Sequence, residues 1–367
     1  MERSFINDIN QTYKSLTLLG DIKGIMPHTN GEPIVLVVGS DNSYSRPTAV
    51  TLYLALLNID DSISVVVYVI DNGVSRINRK KIGRIVYNNS NCHVIWKSVE
   101  GIIDSLPVTS ERLTVNAYIP LFIPEILPNR YSRALFLDSD LIVEDDISKI
   151  WYQSLNNSLL AVRDFWIPCV SSKDGLANYF ELGIDGDHPY FNSGVMLINL
   201  KAWRCGNVRE RSLAYLRDKS ESVILVDQGV LNAVLAGEWS PLDLKWNVHH
   251  ALDSRGWENA AESWSDLSFR RQLSSRAAEL LEHPGILHFA GPDKPWKNPH
   301  SHPEGLRWFR YLWSSGWQTK TERLQSMAHF FSRRAVKALR VWTRPHRHWL
   351  VRHLPGTHQY LLKPDAD

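Results

Sequence analysis

The chain has 367 residues, 44% hydrophobic and 22% charged, with a formal net charge of +2. That composition excludes a disordered, collagen-like or disulfide-scaffold protein and leaves room for one large core with an appendage. No window approaches the roughly eighteen clean apolar residues of a spanning helix, and MERSFINDINQTYKSLTLLG lacks an apolar run of signal-peptide length. The charge is uneven. Residues 320–367 hold ten Lys or Arg against three acids, so a basic tail follows a mildly acidic body and points to a polyanionic surface. Cys92, Cys169 and Cys205 are odd in number and lack metal-ligand spacing. Core thiols are expected, Cys92 and Cys205 among them, in a cytoplasmic protein that can sit at the inner face of a membrane.

Residues 1–33 read as a lead-in that closes on the turn signal Asn30-Gly31-Glu32-Pro33. An apolar strand from Ile34 to Val38 stops at Gly39, and Pro47 opens a helix through Val50, Leu54 and Leu57. Strands follow at Val65–Ile70 and His93–Trp96, with a charged helix at Arg76–Val86 between them. The pattern continues with a helix at Ile119–Leu127, the strand of ALFL, strands at Leu159–Val162, Val195–Asn199 and Ile286–Phe289, and a helix at Ser222–Leu235. Strands apolar on both faces and alternating with helices indicate an α/β fold built on a single, mostly parallel sheet. Residues 34–318 form its domain. Residues 251–283, with Trp257, Trp264, Arg270 and Arg271, form an insertion beside the sheet that faces an acceptor. Residues 319–367 form the tail.

The stretch ALFLDSDLIV places Asp138 and Asp140 inside an apolar run. On an extended chain the two share a face, and a desolvated carboxylate pair needs a cation. Hard oxygen ligands there suit Mn²⁺ or Mg²⁺, with a bound diphosphate completing the set; the alternative is a solvated turn. GSDNSY lies at the end of the first strand, where Asp41 can accept from a base N–H and Tyr44 can stack on the base; alternatively Asp41 or Ser45 caps the next helix. HFAGPDKPW offers His288 as a third metal ligand and Lys294 as a phosphate cation, although a His beside an apolar strand is often structural. In YFNSGVMLINL, Asn192-Ser193-Gly194 reads as a polar turn feeding a buried strand. Asp227-Gln228 opens an apolar helix, as a substrate contact or as a plain cap.

In this order the motifs resemble glycosyltransferase family 8, the retaining enzymes that include glycogenin and bacterial lipopolysaccharide glucosyl- and galactosyltransferases. The resemblance covers residues 34 to 300. It implies a glycosyltransferase-A fold, a UDP-hexose donor and Mn²⁺ or Mg²⁺ on Asp138, Asp140 and His288. It assigns the uridine to Gly39, Ser40, Asp41 and Tyr44, with Ser139 among the donor contacts, and the diphosphate to Gly291 and Lys294. Asp164 matches a donor-sugar contact, and Asn192, Ser193, Asp227 and Gln228 match sugar and reaction-centre positions. One departure stands out: the family's Tyr-Tyr-Arg-Leu stretch reads Tyr118-Ile119-Pro120-Leu121 here, without the Arg.

The expected function is metal-dependent, retaining hexosyl transfer to a saccharide or lipid-linked glycan. The alternatives are a nucleotide-sugar-binding protein without turnover and a sugar nucleotidyltransferase, whose glycine-rich, basic first turn GSDNSY lacks. Gln228 is a poor nucleophile, so same-face attack is favoured over double displacement. In the tail, Phe330, Val336, Leu339 and Trp342 alternate with Arg333, Arg334, Lys337 and Arg340 at helical spacing. That pattern fits an anionic membrane surface or a helix packed on the domain; no nucleic-acid motif is present.

Overall fold

The computed structural model describes residues 32–89, 91–99, 115–219, 225–253 and 266–343. Strand β1 (Ile34–Asp41) leads into helix α1 (Ser45–Leu57), and β2 (Val65–Asn72) into α2 (Arg76–Tyr87) and β3 (Cys92–Ser98). A 3-10 helix over Val115–Phe122 and the one-turn α3 (Ile123–Ile126) precede β4 (Arg133–Leu137), β5 (Leu141–Val143), α4 (Ser148–Trp151) and β6 (Leu159–Arg163). Then come β7 (Phe191–Asn199), α5 (Leu200–Cys205), α6 (Val208–Lys219), α7 (Val226–Val234), β8 (Trp239–Pro241) and β9 (Val248–His249). The described chain closes with α8 (Leu267–Glu282), β10 (Ile286–His288), α9 (Gly305–Ser314) and α10 (Lys320–Thr343).

The main sheet has seven strands in the order β3-β2-β1-β4-β7-β6-β8. From β3 to β4 the strands are parallel, and the β-branched runs of β1 and β2 are buried along nearly their whole length. Both faces are covered, which is why these strands carry no polar alternation. β7 is antiparallel to both β4 and β6. Leu137 at the end of β4 therefore faces Val195 near the start of β7, and Val162 at the end of β6 faces Asn192. The carboxyl ends of β1, β4 and β6 and the amino end of β7 thus meet at one edge of the sheet, where ligands of open α/β sheets bind.

Five expectations are corrected. The sheet is not single: β10 pairs with β5 and β9 in a separate three-stranded sheet. β5 starts one residue after Asp140, and its edge is satisfied by β10, whose following residue sends Phe289 N–H to Asp140 O at 3.1 Å. The α-helix expected over Ile119–Leu127 is split: residues 119–122 are 3-10, because Pro120 lacks the N–H that an α-helix interior needs, and only Ile123–Ile126 is α-helical, with Pro124 in its first turn. Asn192-Ser193-Gly194 is strand rather than turn, since Asn232 of α7 clamps the preceding residue at 2.9 Å on both Phe191 N–H and Phe191 O. Cys205 is exposed, unlike buried Cys92 and Cys169. β1 also runs on through Gly39 to Asp41, in register with Ile70 to Asn72.

α9 buries Trp308, Phe309, Leu312 and Trp313. Phe330 of α10 packs on Phe309 and Trp313 at ring distances of 5.2 and 5.6 Å and is 2% exposed, so the start of the basic tail is docked on the domain. The lead-in to Gly31, Trp257 and Trp264 of the insertion, and residues 344–367 lie outside the described residues, as do the side chains after Arg333. Among the described residues, no helix is long and apolar enough to cross a membrane.

One side chain of α1 holds the turn between β4 and β5. The buried Thr51 hydroxyl lies 3.0 Å from Ser139 O and from Leu141 O, and receives Leu141 N–H at 3.1 Å. Thr51→Val keeps the shape and strands these groups. It is expected to destabilise the chain by about 1–3 kcal/mol in urea unfolding, with Thr51→Ser closer to the parent.

Candidate active site

Asp138 and Asp140 leave the end of β4, and His288 ends β10, across from Leu141 in register. His288 Nε2 lies 3.7 Å from Asp138 Oδ2 and 3.4 Å from Asp140 Oδ1, so three ligand-type atoms face one point. Asp140 and His288 are buried, while Asp138 opens partly to solvent. Gly194 of β7 makes the approach feasible: a Cβ there would overlap His288 Cε1 and stand 2.9 Å from Asp138 Oδ2. The backbone holds the first ligand too, with Asp138 N–H on Gly194 O at 2.8 Å.

The electrostatics describe a place that wants positive charge. Burial, and then the Asp140 charge, push the Asp138 carboxyl up to about 6. Burial also opposes ionisation of Asp140, yet His288 and Lys294 beside it hold that carboxyl well below the usual range. Lys294, itself buried, closes an ion pair on Asp140 Oδ2 and also donates to Phe289 O. Two carboxylates and an imidazole with a small residue beneath them fit a divalent cation such as Mn²⁺ or Mg²⁺.

The sugar-pocket candidates converge beside this centre. Asp164 Oδ1 receives the N–H groups of Trp166 and Ile167 at 2.7 and 2.9 Å. Its Oδ2 receives Asn192 Nδ2 at 2.9 Å and Gln228 Nε2 at 3.1 Å. Gln228 Oε1 accepts Ser193 N–H at 3.2 Å, and the nearby Ser193 side chain favours the ionised form of Asp227. Burial, and then Asp138, push the Asp227 carboxyl up to about 8.

The nucleoside candidates divide. Tyr44 is half-buried, its ring 5.9 Å from that of Trp296, and its hydroxyl feels Lys294, Asp140 and Asp138. Asp41 Oδ1 takes Tyr44 N–H and the Ser43 hydroxyl at 2.8 and 2.7 Å, so part of its work is to shape the turn. Ser40 is completely buried and accepts from Thr48 at 2.9 Å; the side chain expected at the nucleoside instead braces the strand end. Gly39 belongs to the same brace, since its carbonyl accepts the Ser139 hydroxyl and joins the ends of β1 and β4. Gly291 has φ +84°, the left-handed region that favours glycine, and so turns the chain toward Lys294. Pro120 is buried in a 3-10 helix packed on α7, and it supplies no charge.

Two residues of this site were not singled out from sequence. Asn247 links His288 to Asn192, and Thr51 holds the turn of Ser139; neither carries a periodicity or motif signal. A second group, His250, Asp293 and His302, also comes within 4.8 Å. His302 Nδ1 accepts Glu304 N–H at 3.0 Å, however, so its neutral ring carries the proton on Nε2 and presents no lone pair there.

Cation binding at Asp138 must compete with its proton. Mn²⁺ affinity is expected to be near its plateau above pH 7 and about tenfold weaker at pH 5, measured by the resonance signal of free Mn²⁺. An unchanged affinity across that range would contradict the assignment of Asp138.

Comparison with known proteins agrees with the geometry. Residues 35–299 match the family model described as Glycosyl transferase family 8. The chain is 27% identical over 287 residues to General stress protein A of Bacillus subtilis strain 168, covering 77% of this chain and 94% of that protein. It is 24% identical over 323 residues to the lipopolysaccharide 1,2-glucosyltransferase of Escherichia coli K12, covering 88% and 87%. Its fold is similar to that of the galactosyltransferase LgtC, solved with donor and acceptor sugar analogues. That match has a TM-score of 0.60 and 21% identity, covering 77% of this chain and 96% of LgtC. With the family model running from β1 past β10, over most of the chain, one conclusion follows: the chain belongs to glycosyl transferase family 8, the retaining glycosyltransferases.

Proposed function

We propose that this chain moves a hexose from a UDP-sugar to a saccharide or lipid-linked glycan acceptor, with retention at the anomeric carbon. Residues 34–318 are the catalytic domain and residues 319–367 the tail. The observation that carries this reading is the meeting of Asp138, Asp140 and His288 with the Asp164, Asn192 and Gln228 pocket at one sheet edge.

A divalent cation on Asp138, Asp140 and His288 would supply Lewis-acid neutralisation of the departing diphosphate. Lys294 adds a point charge: its ammonium rests on Asp140, three residues after the turn at Gly291. Tyr44 and Trp296 form an aromatic corner for the base. Asp164 and Asn192 orient the sugar through its hydroxyls, where an unmatched polar group would be left unpaired.

The same geometry favours same-face attack. Four donors already converge on Asp164, which makes it a poor nucleophile and a good fixed acceptor. Gln228 cannot form a stable glycosyl ester. Its carbonyl oxygen accepts from Ser193 and keeps a second lone pair for an oxocarbenium-like state. Asp227, raised by burial, sits beside the reaction centre as a polar wall.

The tail supports a location as well as a fold. Leu324 and Phe331 of α10 are exposed at 58% and 48%, seven residues apart on one helical face, and the exposed Arg333 lies on the other side of the same helix. Such a face fits the anionic inner leaflet of a cytoplasmic membrane, where a lipid-linked acceptor would lie.

Two measurements test these readings. Donor hydrolysis should be screened over UDP-glucose, UDP-galactose and other UDP-sugars with and without Mn²⁺. One donor is expected to turn over only with the cation, and Asp138→Ala with Asp140→Ala should lower that rate by about 10²–10³-fold or more. Binding without turnover of any donor would favour a nucleotide-sugar-binding protein, the reading that the missing family Arg at Pro120 raises. In liposome co-sedimentation, the full chain should pellet with anionic and not with neutral vesicles; equal absence from both would end the membrane reading.

A further inference from the structure

Asn247 ends a 3-10 turn (Leu244–Asn247) immediately before β9 and is 4% exposed. Its two amide atoms touch the two halves of the site: His288 Nδ1 at 2.9 Å and Asn192 Oδ1 at 2.8 Å. The direction of each bond follows from a backbone donor. Gly194 N–H donates to Asn192 Oδ1 at 2.9 Å, which identifies that atom as the carbonyl and turns Nδ2 toward Asp164. The Asn247 atom facing Asn192 Oδ1 must then be its NH₂ group. Its carbonyl is left facing His288 Nδ1, and a carbonyl only accepts. Nδ1 of His288 therefore carries a proton, which leaves Nε2, the nitrogen that faces Asp138 and Asp140 at 3.7 and 3.4 Å, as the atom that can turn a lone pair to a cation.

The geometry points to Asn247 as the positioning residue of the cation site. It holds His288 in the ligating tautomer and joins that ligand to the sugar pocket through Asn192 and Asp164, so that cation and donor sugar strengthen each other's binding. This rests on the cation site proposed above. The polar chain is continuous from Asp164 through Asn192 and Asn247 to His288, and three of its four members are almost completely buried. A buried amide with both ends committed cannot rotate without leaving a buried polar group unpaired. A sugar hydroxyl that engages Asp164 or Asn192 stiffens the same chain that aims the imidazole. A ligating His commonly needs such an acceptor on its other nitrogen.

The test is Mn²⁺ affinity, read from free Mn²⁺, for the full chain and for Asn247→Ala and Asn247→Asp. Each is measured alone, with UDP, and with UDP-glucose or UDP-galactose, after far-ultraviolet dichroism has confirmed the fold. Asn247→Ala is expected to weaken Mn²⁺ binding by about 10–100-fold. Asn247→Asp keeps an acceptor for His288 Nδ1 and should stay within a few-fold of the parent. It loses the donor to Asn192, so the extra Mn²⁺ affinity that the parent gains from a UDP-sugar over UDP should disappear. A folded Asn247→Ala chain that binds Mn²⁺ like the parent, or an Asn247→Asp chain as weak as the Ala variant, overturns the tautomer role. No gain from either sugar in the parent overturns the coupling. A parent that binds no Mn²⁺ removes the cation site itself, and this inference with it.

Discussion

Two like charges held close together at the end of a buried strand govern the rest of this molecule. Asp138 and Asp140 leave β4 on the same side, and desolvating such a pair costs several kcal/mol unless cations and hydrogen bonds compensate. Each neighbouring feature answers that demand. His288 and Lys294 converge on Asp140 from β10 and the loop after it. Gly194 withdraws its bulk to let the imidazole in. Thr51 and Ser139 tie the turn between the two carboxylates to α1 and β1.

The second principle is saturation. Asp164, Asn192, Gln228, Ser193 and Asn247 form a network in which the backbone donors of Trp166, Ile167, Ser193 and Gly194 anchor the direction of each amide. Low local dielectric makes such bonds strong and their loss expensive. A pocket built this way is rigid before a ligand arrives, which favours recognition of sugar hydroxyls by position. The Asp138–Asp140–His288 side and the Asp164 side are thereby parts of one hydrogen-bonded structure.

Much of the parallel half of the fold was legible from the sequence, because strands buried on both faces read as continuous Val, Ile and Leu runs. β1, β2, β4 and the core of β7 stand out for that reason. The failures have specific causes. Pro120 turns the first half of an apolar helical pattern into a 3-10 segment and leaves one α-helical turn after it. The start of β7 looks like a turn because Asn, Ser and Gly are poor strand formers, and only the clamp of Asn232 from α7 keeps Phe191 extended. β10 was legible as a short apolar run, but its pairing with β5 and β9 in a separate sheet could not be read, since two- and three-residue strands do not reveal their partners. Ser40 shows the limit at single-residue scale: a polar residue in a binding motif can be fully buried and serve its own strand.

The sequence by itself determined the chemistry available: an Asp pair in an apolar run, a distant His and Lys flanking a turn, and amide-bearing residues beside buried segments. Side-chain type and local burial are encoded within a few residues, so these signals survive without coordinates. Tertiary structure alone decided which groups touch. His288 reaches Asp140 across nearly 150 residues of chain through the β5–β10 pairing, and Asn247 reaches His288 and Asn192 by the placement of one short turn. Directional hydrogen bonds act over about 3 Å, and no local pattern in a chain specifies which remote atoms the packing will bring within that distance.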